Sequence, residues 1–412
     1  MGQTPTRSIV LLSVTWFFLI GALGLFFPYY SLYLSANAGL SGSQVGLVMA
    51  TIPLVGIIVQ PLWGRLADLT GSRKRVFTVI TVGAALGYAG LYPVRSFPGL
   101  VAGTALLAVF SAAAIPSCIA LSMALLRGTG PHTFGLVRAW GTVGFLIAVV
   151  AFPAVVGPAD PQTGTAAARD GLGLILPLTG VFTLMAGLTA ARLPRDEQVT
   201  VRASRGDWRL LARDGPFVRL LAFVLATYFF LQGPIALFPI FVRSLGGSVE
   251  MVSRMWIFML ALEIPLVALS GTGFRWLGPR GLLALGVGSG AIRWLVSALA
   301  GDLRVVYAVQ ILHGVTVMGL IIGGPIYVEA VVPARLRATG QAMLSMVGMG
   351  AGGILSNLVS GWLIDHLGPA APALFGGAGA LLLTVSMGVL VPPPRRLVHP
   401  EDLPKAVAPD LP

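Results

Sequence analysis

Residues 8–64 read SIVLLSVTWFFLIGALGLFFPYYSLYLSANAGLSGSQVGLVMATIPLVGIIVQPLWG, and no charged side chain stands between Arg7 and Arg65. A membrane-spanning helix needs about 20 consecutive apolar residues, so this run is long enough to cross a bilayer twice. The remainder continues in kind. Of 412 residues, 56% are hydrophobic and 10% charged, and the mean hydropathy is +0.88. Soluble domains carry about 25% charged residues, so this composition cannot furnish a water-solvated surface of ordinary size. The chain is an integral membrane protein.

A formal charge of +12 and a pI near 10.8 would suggest a nucleic-acid partner in a soluble protein. Here the basic residues lie between apolar spans rather than along one amphipathic face, which argues against nucleic acid. Nearly all are arginine, with Lys74 and Lys405 the only lysines. Cys118 is the single cysteine, which excludes an intrachain disulfide framework. Together with four histidines in no ligand spacing, it leaves no metal site and no cofactor to expect. Arg7 before an apolar run, with Ala36-Asn37-Ala38 after it, imitates a signal peptide. Ser8 to Leu34 is far longer than the cleaved apolar core of about 7–15 residues, and it reads as the first membrane helix.

Segmentation at charges and Gly/Pro clusters predicts an all-α membrane protein with twelve transmembrane helices. They fall at 8–34, 43–63, 76–94, 99–126, 134–157, 172–191, 217–242, 251–273, 281–299, 305–328, 339–364 and 371–391. One set of connections holds Arg7, the 65–75 cluster, Arg127, the 192–213 segment, Arg275, Arg280, Arg335, Arg337 and the tail. That is roughly twenty basic residues against about four (Arg95, Arg169, Arg243, Arg304) on the other side, which predicts both termini in the cytoplasm. The most charged connection, Arg192 to Pro216, divides six helices from six. The expected organisation is a six-helix bundle at 1–192, a cytoplasmic linker at 193–216, a second bundle at 217–394 and a cytoplasmic tail at 395–412. Within the linker, Asp207-Trp208-Arg209-Leu210-Leu211 reads either as a short amphipathic turn on the membrane surface or as solvated chain.

The halves echo each other. Leu25-Phe26-Phe27-Pro28 in helix 1 has a counterpart in Ala236-Leu237-Phe238-Pro239 of helix 7. Gly64, Gly71 and Arg73 after helix 2 are matched in spacing by Gly271, Gly278 and Arg280 after helix 8. Corresponding helices run in the same direction, so the repeat is parallel, an arrangement found in two-bundle transporters.

The segment Gly64-Arg65-Leu66-Ala67-Asp68-Leu69-Thr70-Gly71-Ser72-Arg73-Lys74-Arg75 resembles the signature loop between helices 2 and 3 of the major facilitator superfamily. Glycines let helix ends approach, and the lone aspartate can accept from helix N-termini or an arginine. The resemblance implies the major facilitator fold and a gating role for Gly64, Asp68, Gly71 and Arg73; a plain basic loop is the alternative. Leu69 and Ser72 stand where the superfamily commonly has basic residues. Phe134-Gly135-Leu136-Val137-Arg138-Ala139-Trp140-Gly141 is similar to the opening of helix 5 in the lactose permease, nucleoside:proton symporter and phenylpropionate permease groups. Ile311-Leu312-His313-Gly314, Ile326-Tyr327-Val328-Glu329 and Arg337-Ala338-Thr339-Gly340-Gln341 extend the likeness over both halves.

An ionised side chain near the bilayer centre costs about 2.5–3.5 kcal/mol on insertion scales, so it normally has a partner or a water-filled cavity. Glu263 lies halfway along helix 8, Arg293 past the middle of helix 9 and His313 in the outer half of helix 10, so they meet if these helices are neighbours. Arg138 lies about one turn inside helix 5. A cluster that only fixes packing is a poor stabiliser, because desolvation offsets the attraction. The other reading is solute and proton handling: burial favours a neutral acid, a nearby arginine favours the carboxylate, and a proton carrier needs that competition. The lactose permease resemblance implies that Glu263, Arg293 and His313 belong to a proton-and-sugar network and that Arg138 binds solute. That family's proton-carrying glutamate is replaced by Thr316, and helix 4 offers Arg138 no acidic partner, only Cys118. Coupling then rests on Glu263 or Glu329. Tyr30, with Tyr29 and Tyr33, offers a hydroxyl or a stacking face, or else belongs to the interfacial belt.

The expected function is proton-coupled symport of a small polar solute (a sugar, nucleoside or aromatic carboxylate) by a monomer in the bilayer of a bacterial inner membrane. A proton-driven exporter of the same superfamily is the rival. Exporters carry a glycine-rich helix 5 motif, and here Gly157-Pro158 is followed by Ala159-Asp160-Pro161 without it. No catalytic constellation or sizeable soluble domain is present to serve a membrane enzyme or a non-transporting sensor.

Overall fold

The computed structural model describes residues 5–127, 129, 131–156, 171–194, 207–273 and 277–393, and among them every regular element is a helix. The charge-free run becomes α1 (Thr6–Ala36) and α2 (Gly42–Thr70), followed by α3 (Arg73–Leu91) and α4 (Phe97–Leu125). Next come α5 (Thr133–Val156), α6 (Gly171–Ala191), α7 (Gly215–Ala236) and α8 (Val249–Gly273). The last four are α9 (Gly278–Ala300), α10 (Leu303–Val331), α11 (Arg337–Leu367) and α12 (Ala371–Leu390). Among the described residues ten of these, all but α3 and α8, are long and apolar enough to cross a membrane. The other two have 19 and 25 residues and pack within the same assembly. The tail at 395–412, most of the 193–216 connection, Arg169, Arg275 and Gly157-Pro158 lie outside the described residues. The 207–211 piece is helical, Asp207–Ala212, with Leu211 buried and Trp208 and Leu210 exposed.

Local chemistry sets the ends. Ser41 accepts from the Gln44 amide while the Gln44 side chain accepts from Ser41, a reciprocal cap that starts α2. Gly71, at φ +68°, ends α2 in the left-handed region. Ser72, the departure from the superfamily's basic pattern, accepts from the Arg75 amide and starts α3. The echoing Phe-Pro motifs mark breaks in both halves. Helix stops at Phe26 and resumes at Tyr30 around Pro28, and it stops at Ala236 and resumes as Phe238–Ser244 with Pro239 in its first turn. Proline lacks the amide donor and crowds the carbonyl four residues back, so each helix yields there. The predicted helices 10 and 11 are not uniform: Gln310–Leu312 tightens to 3-10 geometry, and Met318–Ile322 and Met346–Gly352 widen to π turns.

Helix pairing repeats with an offset of six. The pairs α1–α5, α1–α6, α3–α6, α2–α4 and α3–α4 recur as α7–α11, α7–α12, α9–α12, α8–α10 and α9–α10. Small residues permit the close approach that membrane helices need in place of a hydrophobic drive. On α5, a side chain at Gly144 would overlap the Phe17 carbonyl of α1. Gly144→Leu should therefore separate α1 from α5 at a cost of about 1–3 kcal/mol. The check is a lower thermal midpoint in detergent, with no comparable loss for Leu at Gly64, which has nothing within 4 Å.

Contacts between the two sets of six run along α2–α11 and α5–α8. At the end bearing Ser41 they are tight. Gly42 and Gly46 lie against Gly361 and Asn357 of α11, so close that a side chain on Gly46 would overlap the Asn357 carbonyl. The Asp365 carboxylate, at the end of α11, accepts from the Gly42 and Ser43 amides at 2.6 and 2.8 Å, capping α2 from the other half. The Tyr29 hydroxyl meets Ser253 Oγ at 2.6 Å, tying α1 to α8. The opposite, arginine-rich end leaves Arg65, Asp68, Arg127, Arg138 and Glu329 exposed. Asp365→Ala removes both amide contacts, so a reporter thiol at Asn357, behind the seal, should label several-fold faster with an impermeant maleimide; unchanged labelling would show that the glycine contact alone closes this end.

Candidate functional site

The three ionisable residues expected to meet do meet. Gly314, next to His313, lies directly on the α8 backbone: a Cβ there would sit 2.6 Å from the Glu263 nitrogen. This approach brings His313 Nε2 to 3.6 Å from Glu263 Oε2. His313 Nδ1 lies 2.9 Å from Arg293 Nη1. A guanidinium has only donors, so Nδ1 accepts, and in the neutral imidazole the proton sits on Nε2, facing Glu263.

Arg293 is 2% exposed, yet its charge is met by neutral groups. Nε donates to Gln310 Oε1 at 2.7 Å and Nη2 points at Met259 Sδ at 3.6 Å. The Trp294 ring covers the guanidinium at 4.2 Å. Gln310 is held in turn by donating to the Val306 carbonyl at 2.8 Å and to Ser297 Oγ at 3.3 Å. Glu263 is thus one imidazole away from a buried positive charge. Thr316, where the lactose permease likeness would have an acid, bonds Ser289 at 3.0 Å and the Leu312 carbonyl, joining α9 to α10.

The remaining candidates lie apart from this chain. Arg138 on α5 sits over the Trp16 ring at 5.6 Å. Trp16 donates to Ser122 Oγ at 3.0 Å, and Cys118, one turn from Ser122, is buried in the same wall. Tyr30 is fully buried with its hydroxyl on Thr104 of α4 at 2.7 Å, stacked between Phe26 and Tyr33. Glu329 is exposed, 16 residues beyond His313 and about 24 Å further along α10. The helix expected to end at residue 63 runs on to Thr70, so Gly64 and Asp68 lie exposed on the last turns of α2 rather than in a loop; Gly71 makes the turn and Arg73 opens α3. Sequence reasoning missed Gln310, Asp365 and the Tyr29–Ser253 tie. Gln310 carries a signal in hindsight: a lone amide three residues before His313 in an apolar helix.

Residues 9–373 match the MFS_1 like family, and the chain belongs to it; it is a transporter of the major facilitator superfamily, not an enzyme. The chain is 32% identical over 371 residues to the maltose permease of Geobacillus stearothermophilus, covering 87% of this chain and 89% of the relative. It is 27% identical over 352 residues to a putative sugar efflux transporter of Deinococcus radiodurans, covering 81% and 85%. The nucleoside transporter NupG shares the fold, with a TM-score of 0.81 at 16% identity over 93% of this chain and 98% of that one.

Proposed function

We infer that the protein is a proton-coupled symporter that carries a sugar inward across the cytoplasmic membrane of a bacterium by alternating access. One observation carries this reading. Among the described residues Glu263 is the one acid near the middle of a helix, and it faces His313 and, through it, buried Arg293. The relatives named for sugars supply the solute class.

In this reading all twelve helices span the bilayer. Residues 1–192 and 217–394 form two six-helix bundles joined by 193–216, and both termini lie with the arginine-rich end in the cytoplasm. The conformation described is then sealed outward at Asp365 and open inward. Glu263 holds the coupling proton. On release, the His313 Nε2–H, with Arg293 behind it, stabilises the carboxylate, and the solute bound between the bundles decides which form is favoured. Arg138 donates to solute hydroxyls from the first bundle, and Glu329 stands at the cytoplasmic mouth, where the proton meets solvent. The segment at Gly64, Asp68, Gly71 and Arg73 closes that mouth in the opposite state. A sugar, a proton and the bilayer are the partners of a functional monomer.

The test is uptake of labelled maltose and a panel of other sugars into proteoliposomes. Accumulation under an inward proton gradient, lost with a protonophore, is expected. The similarity to a sugar efflux transporter favours a second reading, export by exchange with protons. Under that reading, an inward proton gradient drives preloaded sugar out and no gradient-driven accumulation occurs.

A further inference from the structure

Trp256 of α8 is 5% exposed, and its indole nitrogen is buried without a hydrogen-bond partner. Two other indoles of this protein do not accept that condition: Trp16 donates to Ser122 Oγ and Trp63 to the Val109 carbonyl. A buried N–H left unmade is costly, and buried tryptophans generally find an acceptor. A residue serving only as apolar filler would have no use for the N–H.

The surroundings of Trp256 are those of a site. Its ring lies edge-on to Phe27 of α1 at 5.5 Å, tilted against Phe145 of α5 at 6.0 Å, and edge-on to His313 of α10 at 5.9 Å. It therefore bridges the two sets of six helices and touches the imidazole that faces Glu263. Along α8, Ser253, Trp256, Met259 and Glu263 share one face at helical spacing. Ser253 makes the seal with Tyr29, Met259 meets Arg293, and Glu263 faces His313. Trp256 thus lies along α8 between the Glu263–His313 pair and the Tyr29–Ser253 tie.

We propose that Trp256 is a solute-binding residue: the roof of the transport site, whose Nε1–H donates to one hydroxyl of the bound sugar while its ring covers an apolar ring face. An aromatic wall with one well-placed donor is what a sugar requires, since its ring presents C–H faces edged by hydroxyls. The same ring, resting on Phe27 and Phe145 when no sugar is present, closes the seam above the site. This assignment rests on the sugar-transport reading.

The experiment compares sugar Kd for wild type and Trp256→Phe, using the best transported sugar and its monodeoxy analogues. Trp256→Phe should weaken the parent sugar about tenfold, the loss of one hydrogen bond. One deoxy analogue, lacking the hydroxyl that receives the indole proton, should bind wild type and variant equally. A purely structural tryptophan would shift all analogues by the same factor, and that uniform shift, or no shift, overturns the proposal. If Trp256→Phe is not monodisperse, 3-benzothienylalanine at position 256, which keeps the fused ring and lacks the N–H, carries the same comparison. Wild type that binds no sugar removes the sugar-transport reading and this assignment with it, an outcome distinct from a uniform shift in a binding protein.

Discussion

Glu263→Gln should abolish accumulation of sugar against its gradient while leaving exchange of sugar across the membrane measurable. Glutamine keeps the volume of the side chain and an oxygen that can accept from His313 Nε2–H, 3.6 Å from the present carboxylate. It cannot release a proton. The bundles can therefore still alternate with sugar bound, because exchange requires no change of protonation, but each inward passage no longer delivers a proton. The expected result is counterflow within a few-fold of wild type and gradient-driven uptake at the level of empty liposomes. Uphill uptake unchanged in the variant would remove Glu263 from coupling and transfer the role to Glu329, the second coupling candidate. A second control follows from Arg293. Its guanidinium is held by Gln310 and His313, so Arg293→Ala should cost folding as well as transport, because it strands a buried amide and imidazole.

Arg138→Ala should behave in the opposite way, losing binding and keeping the fold. Arg138 is exposed at the arginine-rich end, and its contact with the protein is the face of Trp16 at 5.6 Å. An exposed cation–π contact is worth about 0.5–1 kcal/mol, so stability is little affected. A guanidinium that donates two hydrogen bonds to solute oxygens supplies more, about 1.5–3 kcal/mol per charged bond, which corresponds to at least a hundredfold in Kd for the pair. Binding calorimetry with the transported sugar, alongside a thermal melt, separates the two. An unaltered isotherm would make Arg138 a surface charge of the arginine-rich end. Arg138→Lys should rescue little, since an ammonium cannot reproduce the forked geometry.

The helical architecture was open to inspection in the sequence because charge is expensive in hydrocarbon. Arginines and glycines therefore punctuate the chain close to where the helices end. Within the helices the signal fades. The π turns at Met318–Ile322 and Met346–Gly352 lie in stretches that are apolar on all sides, where periodicity cannot distinguish one helical winding from another. Glu263, Arg293 and His313 stood out as single charges in apolar helices, and depth alone brought them together once α8, α9 and α10 were neighbours. Tyr30 was not readable in the same way. A tyrosine near a helix end suits an interface, a pocket or the core, and only the presence of Thr104 on α4 turns it inward. Asp365 and Trp256 depend likewise on partners from the other half of the chain, brought close by glycines whose purpose appears only when the facing backbone is known.

The most direct measurement follows proton movement with a pH-sensitive dye trapped in proteoliposomes, when maltose or another sugar is added outside with no gradient imposed. Import coupled through Glu263 acidifies the lumen on sugar addition, and Glu263→Gln gives no signal. Sugar entry without acidification, or a lumen that turns alkaline, would contradict symport.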